Sequence, residues 1–390
     1  MTTSAPDARS VMLDQILHWA GINSGTQNLT GLAAMASELA SAFSVLPGTV
    51  ELIDPAPVES VSPAGEIVTV QAGQHLVVRV RPEASRRILL TGHMDTVFPV
   101  DHPFQHCVWL DDQRLRGPGV LDMKAGLAIM LAGLCAFEAT KPSLGYDILI
   151  NSDEETGSLS SSALIRELAQ GKHAALTYEP TMPGGVMARA RPGSGNYAAL
   201  IHGRAAHAGR NPQDGRNAIV AASDLALRLS KARKADLAIN PARIDGGGPN
   251  NVVPDLAVLR FNVRPKGSDE MAESTELVSR LTEEIGREHD VRICLHGGMG
   301  RPAKPITPAT EKLFAMVSAA ASELGAPLAW TDSGGVCDGN NIADCGVPVL
   351  DTMGAIGEFI HSPDEYLDTL SLIPKARLTT LVLSRLDQGQ

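Results

Sequence analysis

The chain has 390 residues, too many for one ordinary hydrophobic core and suited to two domains. With 44% hydrophobic and 20% charged residues it has the composition of a folded globular protein, not a disordered one. A net charge of −11, uninterrupted by any lysine- or arginine-rich run, argues against nucleic acid or a membrane surface as partner. Helical periodicity appears first at residues 11–20 and at Leu29–Phe43. Short apolar runs then alternate with helical stretches. Residues 88–90 read as a buried strand, 124–139 as an apolar helix, 146–150 as a strand, 160–169 as a helix and 174–178 as a strand. This order predicts an α/β domain with a mostly parallel central sheet and helices on both faces.

The pattern changes near Gly184. Residues 196–203 alternate like a half-exposed strand, 215–231 read as a helix, 256–263 as a strand, 270–288 as a charged amphipathic helix and 291–296 as a strand. A β-α-β-β-α-β-like order of this kind gives a small sheet with two helices on one side. From about Ala303 the α/β pattern resumes, with a helix at 310–324, a strand at 347–350 and a closing helix after Leu370. The expected organisation is one domain of residues 1–186 and 302–390, interrupted by an inserted domain of residues 187–301. The five cysteines, Cys107, Cys135, Cys294, Cys337 and Cys345, are scattered and lack a C-x-x-C pair, which predicts reduced thiols and argues against a disulfide frame or a cysteine zinc site. Residues 1–21 are too polar for a signal peptide, and no run approaches the roughly 20 apolar residues of a membrane helix. The expected location is the cytoplasm.

Three apolar runs end in polar, ligand-capable residues. Residues 88–90 lead to His93 and Asp95, 148–150 lead to Asp153, Glu154 and Glu155, and 175–178 lead to Glu179. Ligands of open α/β sheets bind beyond the carboxyl ends of the strands, so these segments should share one rim. Carboxylates gathered in a cleft are costly unless cations neutralise them. Between the runs, Gly117-Pro118-Gly119 presents Asp122 at a helix start, where taken alone it reads as an N-cap. Near the end of the chain, Glu358 and His361 follow a glycine-containing loop; taken alone, His361 reads as a structural or surface histidine.

Together these segments resemble the M20 metallopeptidase family, in which G-H-x-D-T-V, G-P-G-x-x-D-x-K-x-G, a D-E-E triplet, E-P and a late H-S occur in this order. The resemblance spans about Arg86 to Asp368. It implies a zinc-exopeptidase-like catalytic domain and an inserted α+β, ferredoxin-like lid that carries a homodimer contact. It implies two Zn²⁺ per subunit, with cobalt or manganese as substitutes. Asp122 would bridge them, His93 and Glu179 would complete one site, and Glu155 and His361 the other. Asp95 would orient the His93 imidazole, and Glu154 would be the general base acting on a metal-bridging water.

The lid segment Gly203-Arg204-Ala205-Ala206-His207 matches the family element whose histidine polarises the scissile carbonyl in the partner subunit's site. Asn251, Arg301 and, as a second arginine, Arg264 would contact the substrate carboxylate, and backbone near Gly335 would line the pocket. The implied substrate is a small peptide or N-acyl amino acid with a free carboxylate beside the scissile amide. Glutamate-cleaving relatives carry a lysine shortly after E-P; this chain has Arg189 and Arg191 there instead, which leaves the leaving residue open. Two other readings compete. Thr331-Asp332-Ser333-Gly334-Gly335 is similar to a serine-protease nucleophile turn, but the α/β order contradicts a double β-barrel. A non-catalytic binding module on the same fold would lack a ligand or the base, and neither is missing.

Overall fold

In the computed structural model, which describes residues 8–389, apolar runs of alternating facing build the central sheet. Ile88 and Leu90 of the strand Arg87–His93 enter one core, while Leu89 between them enters another on the opposite face. Ile148 and Ile150 divide from Leu149 in the same way along Gly145–Asn151. Each fully buried Ile or Leu contributes about 1.5–3 kcal/mol, so a one-residue slip of either strand is strongly disfavoured. The first core is covered by the helices Ala8–Ala20, Leu29–Phe43, Ala125–Glu138, Pro308–Glu323 and Leu372–Asp387. The second is covered by Ser162–Ala169 and Asp338–Asp344.

The six strands lie in the order Thr49–Ile53, His75–Val80, Gly145–Asn151, Arg87–His93, Ala175–Thr177 and Val349–Leu350. The last four run parallel to one another, whereas His75–Val80 pairs antiparallel with both of its neighbours. A second, antiparallel sheet joins Ile356–Glu358, Tyr366–Asp368, Arg114–Arg116 and Val108–Trp109. It frames the turn that carries His361. These elements form one unit, running to Ala56, over Gln71–Ala190 and from Ile306 onward.

The second unit comprises Pro57–Val70 and Arg191–Pro305. Its strands lie in the order Leu237–Gly246, Leu256–Pro265, Ser194–His202 and Arg292–Arg301, all antiparallel. The helices Ala218–Lys231 and Ser268–Glu288 bury Leu225, Leu229, Val278, Leu281 and Ile285 against the sheet. The mixed α/β class, the mostly parallel sheet and the β-α-β-β-α-β order all match the expectation.

Three details differ. The strand Leu237–Gly246 has no clean apolar alternation, because Asn240, Pro241 and Arg243 sit on a sheet edge where proline costs no ladder bond. The hairpin of Val58–Val61 and Ile67–Val70 belongs with the second unit, although its position in the chain lies within residues 1–186. Val61 packs with Leu200 and Val258, and Arg260 Nη2 donates to Val61 O at 2.6 Å. Finally, Val120–Glu138 is long and apolar enough by composition to cross a membrane, contrary to expectation. Its small residues disguised its length, and 83% of its most apolar stretch is buried inside the protein as a core helix. Of the polar N-terminal segment, residues 1–7 lie outside the described residues.

Candidate metal centre

His93 ends its strand with its side chain 1% exposed. Its Nδ1 lies 3.0 Å from the Asp95 carbonyl and 3.4 Å from Asp95 Oδ1, leaving Nε2 to face acceptors across the rim. Nε2 stands 3.1 Å from Asp122 Oδ1 and 3.9 Å from Glu179 Oε2. Glu179 follows the strand Ala175–Thr177 beside the start of the apolar helix, where a Cβ on Gly126 would collide with the Tyr178 carbonyl. That close approach brings the third strand end up to the Asp122 turn.

Asp122 is 6% exposed and uses both oxygens: Oδ1 faces His93, and Oδ2 lies 3.2 Å from His361 Nε2. The same His361 nitrogen is 3.1 Å from Glu155 Oε2. His361 has a left-handed backbone at φ 62°, as does Phe359 at φ 63°, a conformation that non-glycine residues adopt at a cost. Two ligand sets result, His93-Asp122-Glu179 and Asp122-Glu155-His361, and Asp122 belongs to both. Within each set the donor atoms lie within 4.8 Å of one another.

The electrostatics are those of a centre short of positive charge. Burial works to raise the Asp122 carboxyl, but hydrogen bonds from His361 and His93 hold it well below the usual carboxylate range. Burial and the Asp122 charge push Glu155 up to about 8. Contacts with Asp122 and Glu155 push His361 up to about 11. Burial opposes the charged form of His93, yet hydrogen bonds to Asp122 and Asp95 hold it well above its usual value. The surrounding carboxylates thus push both imidazoles toward their charged forms. A donor set of two nitrogens and three carboxylates without sulfur fits borderline or hard divalent cations, which would take over that charge balance.

Glu154 and Glu155 share the turn Glu154–Thr156, directly after the strand Gly145–Asn151. The Asp95 carboxylate accepts from both of their backbone N–H groups at 3.2 Å, and from Thr26 Oγ1 at 2.7 Å. Asp95 thus reaches His93 mainly through its carbonyl, while its side chain holds the acidic turn. The far side of that turn is tied by a buried network. Asp153 accepts from Ser160 and Ser161, and Asp338 accepts from Asn151 Nδ2 at 2.7 Å and from Ser158 Oγ.

The remaining expected residues are distributed more widely. Gly335 donates its N–H to Ser333 Oγ at 3.1 Å in an exposed loop of the first unit. His207, Asn251, Arg264 and Arg301 belong to the second unit. There His207 Nδ1 accepts from the N–H groups of Gly209 and Arg210, both at 3.1 Å, and Ala208 N donates to Asn251 O at 2.9 Å. With Nδ1 engaged as acceptor, a neutral His207 ring carries its proton on Nε2. Arg301 ends its strand buried, and Arg264 Nε donates to Asn262 Oδ1 at 2.9 Å.

Two residues at the first-unit centre escaped the sequence reading. Asp338 lies 187 residues from Asn151, and Glu365 bonds to backbone near Asp122 across more than 240 residues. No local pattern signals either.

Peptidase family M20/M25/M40 matches residues 89–385. Carboxypeptidase G2 of Pseudomonas sp. (strain RS-16) is 30% identical over 384 residues, covering 95% of this chain and 88% of that protein. Succinyl-diaminopimelate desuccinylase of Acinetobacter baylyi is 28% identical over 70% of this chain and 76% of its own length. An M20 family metallo-carboxypeptidase from Sulfolobus solfataricus shares the fold, with a TM-score of 0.74 at 14% identity over 97% of this chain and 99% of its own. The serine-protease alternative at Ser333 therefore falls away, and the chain belongs to peptidase family M20/M25/M40, a family of metal-dependent peptidases and amidohydrolases.

Proposed function

We propose that this enzyme is a dinuclear-zinc hydrolase that cleaves the amide bond beside a free carboxylate, releasing an amino acid from a small peptide or an N-acyl amino acid. The observation that carries the reading is the sharing of Asp122 between two ligand sets. Names of the relatives support the reaction class, since a carboxypeptidase and a desuccinylase both break an amide next to a carboxylate-bearing residue. His93, Asp122 and Glu179 would hold one cation, and Asp122, Glu155 and His361 the other. When bound, the two cations supply Lewis-acid activation of water and of the scissile carbonyl.

The chain's own residues do the rest. Asp95 fixes the Glu154–Glu155 turn through two backbone bonds and the His93 ring through its carbonyl. Glu154 removes a proton from the attacking water as the new C–O bond forms. It returns that proton to the leaving nitrogen as the C–N bond breaks. His207 offers Nε2–H to the carbonyl oxygen as negative charge develops there, acting in the site of a partner subunit. Arg301, with Arg264 as a second cation, and Asn251 bind the substrate carboxylate, while backbone around Gly335 lines the pocket. Residues 1–186 and 302–390, apart from the hairpin at Pro57–Val70, form the catalytic domain, and 187–301 with that hairpin form a lid that closes over substrate and carries the homodimer contact. A cytoplasmic location is supported by the free state of all five cysteines.

The test is hydrolysis of a panel of dipeptides and N-acyl amino acids, with and without chelator, after counting bound metal per chain. Chelator-sensitive release of a C-terminal amino acid by a two-zinc protein is expected. Turnover that survives complete metal removal contradicts the proposal.

A further inference from the structure

Glu365 is outside the ligand set, yet its carboxylate holds the backbone that presents Asp122. Its side chain, 1% exposed, accepts three backbone N–H groups: Gly119 N at 3.2 Å through Oε2, and Leu121 N at 2.9 Å and Asp122 N at 3.1 Å through Oε1. The turn needs such an acceptor. Gly119 is left-handed at φ 67°, and Asp122 (φ −113°, ψ 92°) and Met123 (φ −133°, ψ 38°) are not helical, so these N–H groups precede the regular helix Ala125–Glu138. Buried backbone donors without partners would each cost about 1–3 kcal/mol.

Burying a carboxylate is also expensive: burial and the Asp122 charge push Glu365 up to about 7, and the three backbone donors work against that rise. Lys124 is itself buried, interacts electrostatically with Glu365 and donates Nζ to Pro118 O at 3.3 Å. The main chain of Glu365 extends the tie. Glu365 N donates to Ser362 O at 3.1 Å, one residue past His361, and Gly117 N donates to Glu365 O at 3.2 Å. One residue thus fastens the His361 turn to the Asp122 turn.

Resting on the metal-centre reading above, we propose that Glu365 is a positioning residue that sets the separation of Asp122 and His361 and thereby the affinity of the centre for its cations. A carboxylate is required rather than any polar side chain. A glutamine could serve Leu121 and Asp122 through its single oxygen, but its amide nitrogen would then face the Gly119 N–H, donor against donor.

The experiment uses the full chain and needs no substrate. Zinc affinity is measured by competition with a chromophoric chelator for wild type and Glu365→Gln, each checked for folding by circular dichroism. Folded E365Q should bind zinc about 10–100-fold more weakly, the usual cost of losing a partner that orients a ligand. Wild-type affinity in folded E365Q, even with a lowered denaturation midpoint of the chelator-treated protein, would reduce Glu365 to a structural role and overturn the proposal. If E365Q does not fold, Glu365→Asp carries the same test, since its shorter carboxylate withdraws from the three donors; undiminished affinity there overturns the proposal equally. A wild-type chain that binds no zinc would instead overturn the metal-centre reading beneath it.

Discussion

The centre of the first unit and the His207 loop of the second are built in opposite ways. His93, Asp95, Asp122 and Glu154 are buried at strand ends and tight turns. Their orientation is fixed by bonds that exist before any substrate arrives. His207 and Asn251 are exposed, on segments joined by backbone bonds from Ala208 N to Asn251 O and from Val253 N to Ala206 O, and the His207 ring is held through Nδ1 by the Gly209 and Arg210 N–H groups. A buried charged centre can bind cations tightly and stay rigid. An exposed donor is worth little in water and gains strength only when covered. In the proposed mechanism the first region therefore holds the reacting atoms, and the second contributes only in the closed, substrate-bound state.

The sharpest way to break this contrast is Glu154→Gln. The account expects kcat to fall by about 10²–10⁴-fold, with two zinc ions still bound by elemental analysis. Lost metal would mean that Glu154 supports the ligands instead of moving protons. His207→Ala follows, with an expected kcat loss of about 10²–10³-fold, unchanged metal content and little change in KM. A raised KM with unchanged kcat would make His207 a binding contact.

How much of this contrast was readable from sequence depended on distance along the chain. That His93, Glu155 and Glu179 lie at one rim was legible because apolar runs marked the strands they follow, but their choice as ligands over Asp95, Asp153 and Glu154 came only from the family resemblance. His361 and Asp122 were legible only through their place in a family order of motifs, since singly each has an ordinary structural explanation. The positions of Asp338 and Glu365 could not be read. Their partners lie 187 and more than 240 residues away, and a buried acid looks like any surface acid until the fold closes around it. The same holds for the hairpin of Val58–Val61 and Ile67–Val70, whose partner strands come much later in the chain. The edge strand Leu237–Gly246 was hidden differently, by exposed polar residues that blur the two-residue period.

A third prediction concerns pH. Without a bound cation, burial and the Asp122 charge push Glu155 from 4.5 up to about 8, and hydrogen bonds to Asp122 and Glu155 push His361 from 6.5 up to about 11. Both groups bind their proton more tightly when folded, so stability from them is present at low pH and lost as pH rises, through about 8 and then about 11. The melting temperature of the metal-free protein should therefore decline from about pH 4.5 upward, most steeply between about 6.5 and 8 where both groups contribute, and zinc should flatten the trend. An identical pH profile with and without zinc would count against proton-for-metal exchange at the centre.

The smallest effect tests burial without function. Lys375 is buried in the first unit, held near about 7 by burial, with Nζ donating to Thr352 O at 3.2 Å. Because its folded value lies below the usual 10.5, its burial penalty is complete below about pH 7 and vanishes above 10.5. Lys375→Met should raise stability by on the order of 1 kcal/mol at pH 6, less at pH 10, with kcat unchanged. Thermal denaturation at the two values checks it, and a loss of kcat would extend the functional centre to Lys375.

The central claim is that the two ligand sets sharing Asp122 form one catalytic two-metal centre, and reactivation of stripped protein tests it most directly. Activity would be followed as zinc is added back to chelator-treated enzyme in measured equivalents. The account predicts full recovery at two zinc ions per chain, and for Asp122→Asn neither recovery nor two tightly bound ions. Full activity in the stripped protein, or recovery in the Asp122→Asn variant equal to wild type, would contradict it.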